Sequence, residues 1–330
     1  MGARIAGDRA VLYGGDIELG AGLLARHGGA LEEPRLRECA MSANDNVLIP
    51  PQPLAAGGVE IASGKDRGDE NFPVGSWLIR ANLRAHVHAF YAFARNADDI
   101  ADHAMLDADE KVARLDVMEA VLTGVRDDGA ASALKLRESL AQSGVSAIHA
   151  RELLVAFRQD ARKNRYASWD ELMDYCRYSA APVGRYVLDL HGESRQTWGS
   201  SDALCAVLQV INHLQDAAPD LRSLDRCYVP QDLLSQHGVA TDDIARDKML
   251  PGLRAVFDEM LAQCDDLNKS AAALPGLVAA RRLRVETAVI ANLARRLTAK
   301  LKSGDPLAGR VKLVKPDFVW ASLQSAMRIF

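Results

Sequence analysis

The 330-residue sequence has little of what marks several large classes of protein. No apolar run approaches the length of about 18 residues that a spanning helix needs, and the terminal PDFVWASLQSAMRIF is no exception. That argues against a membrane span and leaves peripheral contact with a bilayer open. Only five cysteines occur (Cys39, Cys176, Cys205, Cys227 and Cys264), an odd number without CxxC spacing. Neither a zinc site nor a disulfide framework follows, and a reducing cytoplasm is the expected compartment. The charge is unsegregated: 40 basic and 44 acidic residues give a net −4, which argues against nucleic acid as a partner. Segments of β-type alternation are nearly absent, as are GxGxxG after a strand, the P-loop and GxSxG, so nucleotide cradling and serine hydrolysis have no support.

What is present is helical periodicity. With 48% hydrophobic and 25% charged residues, the chain is large enough for one sizeable core or two small domains. Residues 1–68 are rich in Gly, Pro, Ala and Ser and carry no sustained period, so they read as a disordered extension, with Met41 a candidate translation start. No transit or signal peptide is recognisable there. From Pro73, segments such as WLIRANLRAHVHAFYAFARNADDIADH and GLVAARRLRVETAVIANLARRLTAKL place apolar residues at i, i+3, i+4 and i+7. The pattern predicts an all-α domain over 69–330, a bundle of about eight to ten helices.

Two stretches interrupt this apolar periodicity with acid. In NADDIADH, Asp98, Asp99 and Asp102 fall within five positions, and Tyr91, Arg95, Asp98 and Asp102 descend one helix face. In LQVINHLQDAAPD, Gln209, Asn212, Asp216 and Asp220 share another face, between apolar Leu208, Val210, Ile211 and Leu214. Like charges one turn apart repel, increasingly so as solvent is excluded. Two carboxylates supply hard oxygen ligands without closing an octahedral shell, which suits Mg²⁺ held jointly by protein, water and a diphosphate. Arg95 and Arg226 are the candidate cationic partners of such a diphosphate. Arg165 is as readily a surface ion-pair residue, and Asp160 either an acidic wall residue or a helper to a neighbouring arginine. In YCRYSAAPVG, Pro182 amid small residues predicts a kinked helix closely approached by its neighbours, leaving room for an apolar substrate. His86 and His88 point to different faces, and His213 reads as a core or wall residue.

Together, FYAFARNADDIAD, RQDARKNRY, YCRYSAAPVG and the LQVINHLQD…DRCYVP region resemble the squalene/phytoene synthase family of head-to-head prenyl transferases over most of residues 70–300. The resemblance implies an isoprenoid-synthase-type helical bundle with a central cavity. It implies Mg²⁺ ligation by Asp98, Asp102, Asp216 and Asp220 with Asn212 assisting, and diphosphate contacts from Arg95 and Arg226. It also implies cation-facing roles for Tyr91 and Tyr178, and substrate contacts at Asn71, Gln209, Gln215 and Tyr228. Two departures from the common family pattern, ENFPVGSW at 70–77 and Gln215 before the second aspartate pair, resemble the bacterial hydroxysqualene synthase branch of hopanoid biosynthesis. That branch ionises presqualene diphosphate and captures the cation with water, so no NADPH is expected; Asn71 and Gln215 are the candidates for positioning the water. Functional partners would make presqualene diphosphate and reduce hydroxysqualene, and the expected location is cytoplasmic or peripheral at the inner membrane. The alternatives are a transferase making presqualene diphosphate or phytoene, and a non-catalytic scaffold of the same fold.

Overall fold

In helix α1 (Ala81–Ala101), Val87, Phe90, Phe93, Ala94, Ala97 and Ala101 recur at helical spacing and are buried, which fixes the orientation of the acidic residues at its C-terminal end. The computed structural model describes residues 58–60 and 79–329, so Asn71, Met41 and nearly all of the 1–68 segment lie outside the described residues. Within that segment, the buried Val59 donates its N–H to Gly129 O at 2.8 Å.

The remaining helices follow from ordinary start and stop signals. Asp107 caps α2 (Ala108–Thr123) by accepting the Glu110 N–H at 2.8 Å. Gly124 and Gly144, with φ of 79° and 72°, end α2 and α3 (Ala131–Ser143) in the left-handed region. After α4 (Ile148–Asp160) come α5 (Trp169–Ser179), α6 (Ala181–Leu190), α7 (Trp198–Gln215), α8 (Ala217–Leu224) and the short α9 (Gln231–Gln236). The chain continues through α10 (Pro251–Ala271), α11 (Leu274–Leu277), α12 (Arg281–Ser303) and α13 (Lys315–Ile329). The all-α class stands; among the described residues the only β pairing is an isolated bridge between Arg165 and Cys227.

Three expectations need correction. Among the described residues, thirteen α-helical segments replace the eight to ten expected, partly because two periodic stretches break. The 175–184 stretch is two helices and not one kinked helix: Ala180 leaves helical geometry at φ −123°, and Pro182 sits in the first turn of α6, where its missing N–H costs nothing. The second acidic stretch also divides, at Asp216 (φ −107°, ψ 10°), between α7 and α8. The i to i−4 bonds nevertheless persist across that break, Asp216 N to Asn212 O at 2.9 Å and Asp220 N to Asp216 O at 2.8 Å, so the two aspartates stay one turn apart.

Of the one sizeable core or two small domains that the composition allows, the described residues build two core clusters. One gathers buried residues of α1 to α4 with Tyr186 and Leu190 of α6; the other gathers those of α5, α7, α10 and α12 with their connections, and Val187 packs against both. Helix α1 packs on α2, α3 and α4, and α7 on α5, α6, α10 and α12, so the two acidic segments belong to different halves. Helix α6 joins the halves: Tyr186 stacks on Phe90 with ring centroids 4.0 Å apart and donates its hydroxyl to His86 O at 3.0 Å. The close approach expected of the small residues is present at Gly184, where a Cβ would lie 2.4 Å from Ser201 Oγ and 2.7 Å from Cys205 Sγ.

Candidate active site

The C-terminal turns of α1 bring the first group of charges together. Arg95 Nη2 lies 2.9 Å from Asp99 Oδ1, and its Nη1 lies 3.9 Å from Asp98 Oδ2. Arg95 and Asp98 are both buried, so each charge is held where an unpaired one would be costly. Tyr91, on the same face, is half-buried.

The second group sits where α7 gives way to α8. Asp216 is buried and pairs with Arg310, from the loop between α12 and α13. The Gln215 side chain donates to the carbonyl of Val311 in the same loop, which pins the loop against α7. Gln209 is fully buried on this helix, and neither its amide oxygen nor its amide nitrogen has a hydrogen-bond partner among the described residues. Leaving such groups unpaired costs about 1–3 kcal/mol each, so an orphaned amide on the Asn212 face is suited to receiving a polar ligand. His213 stacks on Tyr228 at 3.7 Å between centroids, in agreement with its reading as a wall residue.

Arg226 joins the two groups. Its backbone N–H donates to Asp220 O at 3.2 Å, while its Nη1 reaches Asp102 Oδ1 at 2.7 Å, so one arginine spans from the second acidic segment to the first. The preceding Asp225 adopts φ 49°, the only positive value at a non-glycine among the described residues. Arg165 binds the Asp225 carboxylate at 2.5 Å and its carbonyl as well, and Cys227 N donates to Asn164 O at 2.8 Å. Arg165 is therefore an ion-pair residue that shapes the turn presenting Arg226.

Asp160, at the end of α4, is the centre beneath. It is buried and accepts the hydroxyls of Tyr175 at 2.6 Å and Tyr228 at 2.7 Å, while its backbone oxygen accepts Arg226 Nη2 at 2.9 Å. It is thus a wall residue, with no helper role to an arginine of its own helix. Tyr166, Tyr175, Tyr228 and His213 form an aromatic wall around it, with Tyr166 and Tyr228 stacked at 5.2 Å. Tyr178 stands apart, half-buried with the Arg177 guanidinium 5.5 Å from its ring.

Four residues of this arrangement escaped the sequence reading. Arg310 lies 94 positions from Asp216, and no spacing rule connects them. Lys111 of α2 is close enough to the centre that burial, and then the Arg226 guanidinium, push its ammonium below the usual lysine pKa, against the opposing pull of Asp102 and Asp160. Tyr166 and Tyr175 carry no signal in the sequence, and only their convergence on Asp160 or Tyr228 marks them.

Among the described residues no three His, Cys, Asp or Glu side chains gather closely enough to hold a metal ion alone. The donors are nonetheless hard oxygens flanked by arginines, which fits a divalent ion shared with a diphosphate. The thiols are unsuited to nucleophilic work: burial pushes Cys176 far up, Cys264 to about 12 and Cys227 to about 11. A cavity of about 50 Å³ between α6, α7, α11 and α12 is lined almost wholly by apolar groups, among them Val187, Leu188, Leu204, Leu283 and Ile290.

A model of the squalene/phytoene synthase family matches residues 65–317. A hydroxysqualene synthase of Rhodopseudomonas palustris is 46% identical over 263 residues, covering 80% of this chain and 90% of that protein. The crystal structure of a squalene synthase from Alicyclobacillus acidocaldarius superposes with a TM-score of 0.63 at 33% identity, over 71% of this chain and 88% of that one. A dehydrosqualene synthase crystallised with a ligand shares the fold, with a TM-score of 0.67 at 20% identity over 78% and 91% of the two chains. Two acidic segments from separate halves, tied by one arginine, thus sit in a chain matched by the family model over most of its length: the protein belongs to the squalene/phytoene synthase family.

Proposed function

We propose that the protein is a hydroxysqualene synthase, converting presqualene diphosphate and water to hydroxysqualene and diphosphate. The observation that carries the reading is the span of Arg226 from the backbone oxygen of Asp220 to the carboxylate of Asp102, which places one guanidinium where the two acidic segments meet and gives a diphosphate a cationic centre there. The choice within the family rests on the similarity to hydroxysqualene synthases.

Asp98, Asp102, Asp216 and Asp220, with the Asn212 amide, are the residues that would hold Mg²⁺, which when bound neutralises the charge developing on the leaving diphosphate. Arg95, Arg226, Arg310 and Lys111 bind diphosphate oxygens, exchanging carboxylate partners for phosphate ones; the planar guanidinium suits either equally. Breaking the C–O bond leaves its electron pair on the diphosphate and a carbocation on the isoprenoid. Tyr91, Tyr175 and Tyr228 are the aromatic residues whose ring faces would stabilise positive charge there. Capture by one water forms the new C–O bond and releases a proton. Of the residues considered for holding that water, Gln215 has its amide nitrogen committed to Val311, so the unpartnered Gln209 amide is the better placed group. Other enzymes must then supply presqualene diphosphate and reduce the allylic alcohol.

The test supplies purified protein with presqualene diphosphate or farnesyl diphosphate, with Mg²⁺ and without NADPH, and identifies the products. Hydroxysqualene from the first substrate alone is expected. Presqualene diphosphate or phytoene made from an allylic precursor overturns the reading. Asp98→Ala and Asp216→Ala are each expected to lower turnover by orders of magnitude while circular dichroism stays helical.

A further inference from the structure

Helix α13 has two distinct faces. One side packs inward through Asp317, Ala321 and Ser325, all buried, with Ser325 Oγ accepting Asn292 Nδ2 at 2.8 Å. The opposite side carries Val319, Trp320 and Leu323, which are 54%, 54% and 55% exposed, and Val314 just before the helix is 47% exposed. At 100° per residue, positions 319, 320 and 323 form a continuous stripe. A helix lying on a protein surface normally presents polar groups outward, and clustered exposed apolar groups mark an interaction surface.

The charges bordering the stripe identify its partner. The only acidic residue of α13, Asp317, is matched by Lys300 at 2.9 Å and Arg296 at 3.5 Å. Lys312 and Lys315 are exposed and pair with no carboxylate among the described residues. Over its last 36 positions the chain carries eight basic and two acidic residues, against a net −4 overall. A Trp-containing apolar stripe edged by lysines is the composition of a helix lying in the interface of an anionic bilayer. No helix among the described residues is long and apolar enough to cross a membrane, so the mode of contact is peripheral. We propose that α13 is the docking surface by which the protein lies on an anionic phospholipid membrane, with Trp320 and Leu323 entering the interface and Lys312 and Lys315 facing lipid phosphates. This inference rests on exposure and charge, and is independent of the reaction assigned above.

The test is co-sedimentation of the full chain with vesicles of phosphatidylcholine alone or mixed with phosphatidylglycerol. Wild type is expected to pellet with the mixed vesicles and to be released by salt. K312Q/K315Q should lower the partition coefficient about 30-fold, the equivalent of about 1 kcal/mol for each lysine near an anionic surface. W320S/L323S should lower it at least tenfold. Both variants should keep the wild-type thermal midpoint, since the residues changed are exposed. Failure of wild type to pellet, or equal pelleting of W320S/L323S, overturns the proposal. So does a concentration-dependent dimer in analytical ultracentrifugation that W320S/L323S abolishes, because the stripe would then be covered by a second copy.

Discussion

Replacing Asp160 by alanine tests whether one buried carboxylate holds the two halves of the site in register. The substitution removes the acceptor of two buried tyrosine hydroxyls, at 2.6 and 2.7 Å, and a carboxylate oxygen 3.9 Å from the buried Arg226 guanidinium. Each orphaned hydroxyl costs about 1–3 kcal/mol. Arg226 keeps Asp102 and the backbone oxygen of residue 160, and removing a buried charge recovers part of its desolvation cost, so the ion-pair loss adds little. The expected total is about 3–5 kcal/mol for D160A. Asn retains the shape and one acceptor, so D160N should cost about 1–2 kcal/mol, and Y228F, which deletes a single donor, about 1 kcal/mol. Denaturant midpoints of the three variants measure the order, and a D160N/Y228F double-mutant cycle isolates the pair. A D160A protein within about 1 kcal/mol of wild type would refute the reasoning, as would Y228F proving costlier than D160A.

Three further outcomes are expected. G184A places a Cβ 2.4 Å from Ser201 Oγ and 2.7 Å from Cys205 Sγ; the overpacking cost of about 1–3 kcal/mol outweighs the helix-propensity gain, and S201A/C205A in the same chain should restore the unfolding midpoint. R310Q withdraws the partner of the buried Asp216 carboxylate and a cation from the diphosphate side, so kcat should fall roughly a hundredfold, and an unchanged kcat would remove Arg310 from the site. Burial pushes the Asp317 carboxyl up, but the Val314 N–H and Lys300 outweigh it and leave the pKa below 3.8. A depressed carboxylate stabilises fully above the unfolded value and loses that contribution as pH falls through the folded one. The packing of α13 should therefore hold at neutral pH and loosen in acid below pH 3.8, read as increasing proteolysis near residue 314; D317N should show no such dependence.

The helical class and both acidic segments were legible because they depend on local spacing. Asp98 and Asp102 face one way for the same reason that Phe90 and Ala94 do, and a one-turn interval survives even the break at Asp216, since the hydrogen bonds from Asp216 and Asp220 persist there. The break itself was not legible, because nothing in QDAAP forbids a continuing helix before Pro219, a residue tolerated in a first turn. At Pro182 the proline was visible, but a kink and a fresh helix start share the same sequence signal. Tyr175 and Tyr178 lie on α5 three positions apart, and only the packing of α4 against that helix decides that Tyr175 is the one that meets Asp160. Arg310 and Lys111 come from a loop and a helix with no motif; their place is set by tertiary folding alone.

The arrangement accounts for the crowding of acid in apolar helices. Asp98 and Asp99 have Arg95, Asp102 has Arg226 and Asp216 has Arg310, each guanidinium from a different position in the chain. These pairs are largely shielded from solvent, where a charge left unmatched costs several kcal/mol. Local repulsion along α1 is therefore relieved twice, along the helix by Arg95 for Asp98 and Asp99 and across space by Arg226 for Asp102. Guanidinium pairs with phosphate as readily as with carboxylate, so each arginine can pass to an arriving diphosphate and free its aspartate to ligate a metal. The ion pairs that let the acidic segments fold are in that sense the first form of the binding site, and removing an arginine should weaken folding and diphosphate affinity together.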